Sequence, residues 1–115
     1  MLIKVIVVGR LRDCHWSAKA EEFVKWLSPY AKIEVVELKD VGKEREAELI
    51  LQQLRDEKGY IIVLSEDGSE VTSPELAARL GAIDRKIVFV IGGPDGLTPA
   101  VKQRAHWLWA LSKLT

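Results

Sequence analysis

Apolar residues occur along this chain in short runs, and three of these runs predict buried strands. Residues 2–8, 60–64 and 86–91 are almost wholly apolar and rich in β-branched side chains. Near-continuous runs of this kind are typical of parallel strands that are covered on both faces. Residues 33–38 alternate less cleanly and predict a strand nearer the edge of the sheet, and residues 107–111 are either a fifth strand or the end of a helix.

Amphipathic segments separate these runs and predict helices. In residues 17–27 and 43–58 the apolar side chains recur every three or four positions, as on one face of a helix. The second of these is expected to end at Gly59, a favourable C-terminal cap. Residues 73–80 begin with Ser, Pro and Glu, which predicts a Ser cap, a proline in the first helical position and an acid in the first turn. Residues 98–105 begin with Thr-Pro and predict a short helix.

The order of elements is therefore β-α-β-α-β-α-β-α-β, and the polar residues 65–71, which include Gly68, are predicted to form a loop. Short helical crossovers between apolar strands predict an α/β fold, with a parallel sheet and helices on both faces. The chain has 115 residues and contains no repeat or linker. We therefore expect a single domain over residues 1–115.

The sharpest local signal is the sequence IGGPDG at residues 91–96, between a buried strand and the Thr-Pro helix start. Its adjacent glycines match neither the Gly-x-Gly-x-x-Gly pattern nor a P-loop. In open α/β sheets, ligands bind at the carboxyl ends of the strands. Gly92 and Gly93 permit close approach of the backbone, so this glycine turn is a candidate ligand site, with a simple tight turn as the alternative.

Composition narrows the function classes. The 17 Lys and Arg residues are balanced by 17 Asp and Glu residues, so RNA binding would need a local patch or a partner. One cysteine and two histidines are too few for an intrachain disulfide or a structural zinc site. No apolar run approaches the roughly 20 residues that cross a bilayer, and no signal peptide is evident, so we expect a soluble cytoplasmic protein.

Other polar residues give weaker signals. Arg10, Arg12 and Trp16 follow the first strand and could meet phosphate and base, or form a solvated turn with the indole docked on the core. Glu66 and Asp67 fall in the predicted loop, and the sequence identifies no partner for either carboxylate. None of these residues predicts a catalytic group by itself.

Five short motifs, taken together, resemble the bacterial methyltransferases that modify N3 of a pseudouridine in large-subunit ribosomal RNA, a family of the SPOUT class. The motifs are VVGRLR at 7–12, SPYAKIE at 28–34, Leu64 with Gly68 and Thr72-Ser73, IGG at 91–93 with Gly96-Leu97, and LSKLT at 111–115. They recur in order and cover the whole chain. The resemblance implies a trefoil-knotted α/β fold and an S-adenosylmethionine-dependent methyltransferase that acts on 23S ribosomal RNA.

The resemblance also implies where the methyl donor binds. The expected S-adenosylmethionine-binding residues are Leu64 at the end of the third strand, Gly92 in the glycine turn, and the C-terminal residues Leu111, Ser112, Lys113, Leu114 and Thr115. No metal is implied. The implied partners are ribosomal RNA within the ribosome and a second copy of the chain in a homodimer. This site coincides with the sheet edge indicated by the glycine turn.

Family members continue beyond the position of Thr115 with a segment that completes the knot. That segment supplies much of the dimer interface and the proposed catalytic side chains. We therefore expect a C-terminally truncated SPOUT-type domain with an incomplete knot, and we assign no catalytic residue. The alternative function is a non-catalytic module of the same fold that binds S-adenosylmethionine or a partner.

Overall fold

The computed structural model describes residues 2–9, 22, 24–92 and 96–110. Within them, five strands form one sheet: β1 (Leu2–Val8), β2 (Lys32–Leu38), β3 (Tyr60–Glu70), β4 (Ile87–Ile91) and β5 (Trp107–Ala110). The strand order is β2-β1-β4-β3-β5, and every neighbouring pair is parallel. The parallel α/β sheet predicted from the apolar runs is confirmed, and residues 107–110 are a strand.

Helices cover both faces of this sheet. They are α1 (Lys43–Leu54), α2 (Ser73–Gly81) and α3 (Pro99–Lys102), and residues 24–27 are also helical. The first face packs β1 residues such as Val5 against Leu76 of α2. The second face packs β1 residues such as Ile6 against Ile50 of α1 and Val101 of α3. The alternation of side chains along β1 thus feeds two apolar cores, one on each side of the sheet.

Three helix boundaries differ from the predictions: α1 ends earlier, α3 ends at Lys102 instead of near residue 105, and α2 has a different N-cap residue. The helix predicted to reach residue 58 ends at Leu54, whose carbonyl oxygen accepts a 2.7 Å hydrogen bond from Arg104 Nη2. The helix α2 begins after Thr72 rather than with Ser73 as its cap. The Thr72 hydroxyl accepts from the Glu75 backbone N–H, while the Glu75 carboxylate accepts from the Thr72 N–H. This reciprocal capping box satisfies two donors at the start of the helix.

The prediction of a loop over residues 65–71 is wrong, since β3 continues to Glu70. Leu64 and Ser69 both pair with Trp109 of β5, so the four residues 65–68 form an irregularity between them. We call residues 65–68 the β3 bulge. Polar side chains hold the strand beyond it: Trp107 Nε1 donates to Ser69 Oγ at 2.7 Å, and Ser69 Oγ donates to the Leu108 carbonyl at 3.3 Å.

Within the described ranges, no helix has the length and apolar character needed to cross a membrane.

Candidate functional site at the carboxyl edge of the sheet

The predicted site residues that the structure describes lie where neighbouring strands end. β3 pairs with β4 up to Val63 and Val90. Leu64 is the next residue of β3, and Gly92 directly follows the last residue of β4. β1 lies on the other side of β4 and ends at Val8, and the next residue, Gly9, has a φ of +81°. The carboxyl ends of three adjacent strands thus form one edge, the place where parallel sheets bind ligands.

Leu64 belongs both to the core and to this edge. Its side chain is buried in the first-face cluster, and its backbone pairs with Trp109 directly before the β3 bulge. A bulge after Leu64 redirects the chain at the point where the pairing with β4 has ended. Bulges of this kind often lie next to active sites, where they re-aim side chains.

Gly92 lies against the chain's own apolar core. A Cβ atom on Gly92 would lie 2.7 Å from Cγ of Leu97, a residue of the second-face cluster, so a larger residue would displace this contact. The Gly92 backbone therefore closely approaches the Leu97 side chain, and its contact with a ligand stays a prediction. Gly96 adopts a φ of +81°, a conformation that favours glycine, and brings the chain into α3.

Thr98 provides a polar group next to this turn. It is the N-cap residue of α3, as the sequence predicts, but its side chain makes no capping hydrogen bond. Its hydroxyl oxygen is buried, and within the described structure it has no hydrogen-bond partner. Buried hydroxyls without partners are uncommon and costly, so this one suits a site that receives a polar ligand.

The β3 bulge has partners that the sequence did not reveal. The Ser65 hydroxyl, in a residue that is only 8% exposed, donates to the Asp67 carboxylate. Lys102 Nζ of α3 lies 3.3 Å from each carboxylate oxygen of Asp67. The hydrogen bond from Ser65, followed by the interaction with Lys102, lowers the pKa of Asp67. Asp67 therefore links the bulge to α3, through partners that the sequence did not identify.

A buried acid lies in the first turn of α1, the helix that follows β2 at the same edge. Glu46 is 2% exposed, and its carboxylate accepts a 2.8 Å hydrogen bond from the Gly42 backbone N–H. Burial, the hydrogen bond with Asp40 and the negative charge of Asp40 raise the pKa of Glu46, and together they outweigh the lowering effect of the backbone donors. The Glu46 carboxyl group therefore keeps its proton to a higher pH than an ordinary glutamate does.

The other predicted site residues lie outside the described residues. They are the C-terminal group Leu111, Ser112, Lys113, Leu114 and Thr115, together with Gly93, Arg10, Arg12 and Trp16. Their roles remain predictions. β5 ends at Ala110, directly before the C-terminal group, and it pairs with β3 through Leu64 and Trp109.

Comparisons with known proteins cover the whole chain. A family described as "Predicted SPOUT methyltransferase" matches residues 1–115. A protein of Caldicellulosiruptor saccharolyticus named ribosomal RNA large subunit methyltransferase H is 38% identical over 99% of this chain and 82% of its own length. Proteins of the same name from Gloeobacter violaceus and Pseudothermotoga lettingae are 35% and 36% identical over the full chain and 81% and 82% of their own lengths.

Proposed function

Because the chain belongs to the SPOUT methyltransferase family, we propose that it transfers a methyl group from S-adenosylmethionine to N3 of a pseudouridine in 23S ribosomal RNA. The observation that carries the proposal is the family match over all 115 residues, with relatives named as large-subunit ribosomal RNA methyltransferases at 35–38% identity. The proposal places the chain in a homodimer that acts on the ribosome in the cytoplasm.

The proposed methyl-donor pocket uses Leu64, Gly92 and the C-terminal residues 111–115. Three observations support this placement. Leu64 and Gly92 follow neighbouring parallel strands at the edge where such sheets bind ligands. β5 ends at Ala110 and leads into residues 111–115. The buried Thr98 hydroxyl, without a partner in the described structure, offers a hydrogen bond that the protein does not use itself.

Methyl transfer of this kind requires alignment more than side-chain chemistry. S-adenosylmethionine supplies an electrophilic methyl group; the S–CH₃ bond breaks as the N3–CH₃ bond forms, and the N3 proton passes to a base. The pocket residues of this chain would hold the donor and orient it toward the RNA, and positioning of two reactants supplies a large part of such rate enhancements. We assign no base among the described residues.

The chain's formal charge is zero, so its overall field does not attract RNA. Contact with ribosomal RNA must therefore come from local basic surface and from surface added by a second copy. The proposal thus predicts RNA binding that is weak for the isolated chain and depends on the assembled ribosomal substrate.

The direct test is methyl transfer from tritiated S-adenosylmethionine to ribosomes that lack the pseudouridine methylation. We expect radioactivity in 23S ribosomal RNA, with mass spectrometry placing the methyl group on N3 of one pseudouridine. Ribosomes that already carry the methyl group are the matched control and should accept none. Absence of transfer by a chain that binds S-adenosylmethionine in calorimetry would contradict the proposal and favour the non-catalytic binding module.

A further inference from the structure

We propose that Asp67 and Lys102 are positioning residues for the methyl-donor pocket, because their ion pair joins the strand end that carries Leu64 to the helix that follows the glycine turn. This inference rests on the proposed function. It assigns a role to two side chains that do not themselves form the predicted pocket.

The ion pair spans the two described walls of the pocket. Asp67 lies in the β3 bulge, three residues after Leu64, while Lys102 is the last residue of α3. α3 is fixed to Leu97, the residue that Gly92 contacts, through the second-face core, where Leu97 and Val101 are both buried. The contact of Lys102 Nζ with both Asp67 oxygens, each at 3.3 Å, is thus a side-chain tie between these two regions.

The conformation of the β3 bulge is expected to depend on the ion pair between Asp67 and Lys102. The residues of the bulge interrupt the pairing of β3 with β5, since Leu64 and Ser69 face the same Trp109. The Ser65 hydroxyl donates a hydrogen bond to the Asp67 carboxylate, and Ser65 is only 8% exposed. Loss of the carboxylate charge removes the attraction to Lys102 and weakens the acceptor of a largely buried hydroxyl, so the conformation after Leu64 becomes less defined.

The alternative is an ordinary surface ion pair without influence on the ligand. Lys102 is 29% and Asp67 64% exposed in their side chains, and exposed pairs usually contribute little. The two interpretations differ in what they predict for ligand affinity. A positioning pair must change the affinity for the methyl donor, and the two residues must act together rather than independently.

Calorimetry with S-adenosylhomocysteine on the full chain tests this. We expect D67N and K102M each to weaken binding about fivefold, the upper end for an exposed pair, and the double variant to bind no more weakly than about fivefold. D67E should restore most of the affinity. The matched control is E48Q, which removes an exposed ion pair with Arg45 on α1, 2.6 Å between Arg45 Nη1 and Glu48 Oε2, and should leave affinity unchanged.

The outcomes separate the two proposals. Unchanged affinity in D67N and K102M, or losses that multiply in the double variant, would overturn the positioning role while the proposed function stands. A wild-type chain that binds neither S-adenosylhomocysteine nor S-adenosylmethionine would overturn the proposed function, and the positioning role with it. An equal loss in E48Q would show that any surface ion pair has this effect, which also contradicts the inference.

Discussion

The two edges of the sheet differ in how the chain satisfies its own polar groups. At the amino edge, where the strands begin, the Ile61 N–H donates to His106 Nδ1 at 2.9 Å and the His106 N–H donates to the Ile61 carbonyl at 2.8 Å. The Tyr60 N–H donates to the Lys86 carbonyl at 2.7 Å. Lys86 Nζ in turn lies 3.0 Å from a Glu57 carboxylate oxygen.

At the carboxyl edge, by contrast, the backbone and the hydrogen bonding are irregular. Among the described residues this edge contains the β3 bulge, three glycines with positive φ (Gly9, Gly42 and Gly96) and the buried Thr98 hydroxyl, which lacks a partner there. The polar groups of the amino edge named above are thus paired within the protein. The carboxyl edge keeps irregular backbone and an unused hydrogen-bonding group, which fits its proposed role as the methyl-donor site. Irregular, locally costly features of this kind concentrate at functional sites.

The largest effect is expected from Gly68→Ala at the carboxyl edge. A Cβ atom at Gly68 would lie 2.6 Å from the Leu108 carbonyl carbon, so the backbone of β3 or β5 must shift. We expect a loss of about 1–3 kcal/mol in the free energy of unfolding, the usual cost of overpacking, and about tenfold weaker binding of S-adenosylmethionine. Urea unfolding and calorimetry measure the two effects. If the variant bound S-adenosylmethionine with wild-type affinity, the β3 bulge would not be part of the methyl-donor site.

Gly59→Ala is the matched change at the amino edge. The added Cβ would lie 2.7 Å from the Lys86 carbonyl oxygen, again a backbone atom. We expect a similar loss of about 1–3 kcal/mol in unfolding free energy but unchanged affinity of the folded protein for the methyl donor. If Gly59→Ala weakened binding as much as Gly68→Ala, the distinction between the two edges would fail.

Thr98→Val tests whether the buried hydroxyl is kept for a ligand. Valine has nearly the same shape, and no capping hydrogen bond is lost because Thr98 makes none. We expect the unliganded protein to gain about 1 kcal/mol in unfolding free energy and to bind S-adenosylmethionine more weakly. Thr98→Ser, which keeps the hydroxyl, should not gain this stability. A Thr98→Val protein that is less stable would mean that the hydroxyl serves the fold.

Glu57→Gln, at the amino edge, should lower the free energy of unfolding by an amount that depends on pH. Burial raises the pKa of Glu57, but hydrogen bonds from Lys86 and the Gly59 N–H and the charges of Lys86 and Lys4 outweigh it, so the pKa is lowered. A lowered pKa means that the carboxylate stabilises the fold at neutral pH and that this stabilisation is lost as the pH falls through the folded-state value. We expect the variant to be about 1 kcal/mol less stable at pH 7, with the difference vanishing in acid.

Glu46→Gln should instead raise the free energy of unfolding at neutral pH. The raised pKa of Glu46 means that its carboxylate costs stability once the pH rises above the value of the unfolded chain. A glutamine keeps an acceptor for the Gly42 N–H and gains a donor for Asp40. We expect about 0.5 kcal/mol more stability at pH 7, fading as the pH falls toward the ordinary glutamate pKa. Urea titrations of both glutamine variants at several pH values measure the two changes in unfolding free energy. Changes in the same direction would contradict the predicted difference between Glu57 and Glu46.

The sequence predicts the regular part of this molecule well because short-range patterns determine it. The continuous β-branched runs of β1 and β4 predict buried parallel strands, and the glycines after β4 indicate the edge that carries the candidate site. The assignment of Leu64 needed the family resemblance, because a leucine at the end of an apolar run looks like any other core residue.

The errors arose where distant residues decide the conformation. Residues 65–71 are mostly polar, which is typical of a loop, yet β3 extends to Glu70. Ser69 and Glu70 pair with β5 beyond the bulge, and Trp107 Nε1 donates a hydrogen bond to Ser69 Oγ, 38 positions away. The end of α1 depends on Arg104, 50 positions away, and the partner of Asp67 is Lys102, 35 positions away. No local pattern carries such contacts, although the Ser-x-Asp spacing at 65–67 is typical of a side-chain hydrogen bond.

Amide hydrogen exchange of the chain with and without S-adenosylmethionine locates the methyl-donor site on one edge or the other. We expect ligand-induced protection at residues 64–68 and 92–98 and unchanged exchange at residues 58–62 and 84–87, where the amino edge lies. Protection confined to the amino edge, or no protection anywhere at saturating ligand, would contradict the assignment of the carboxyl edge as the methyl-donor site.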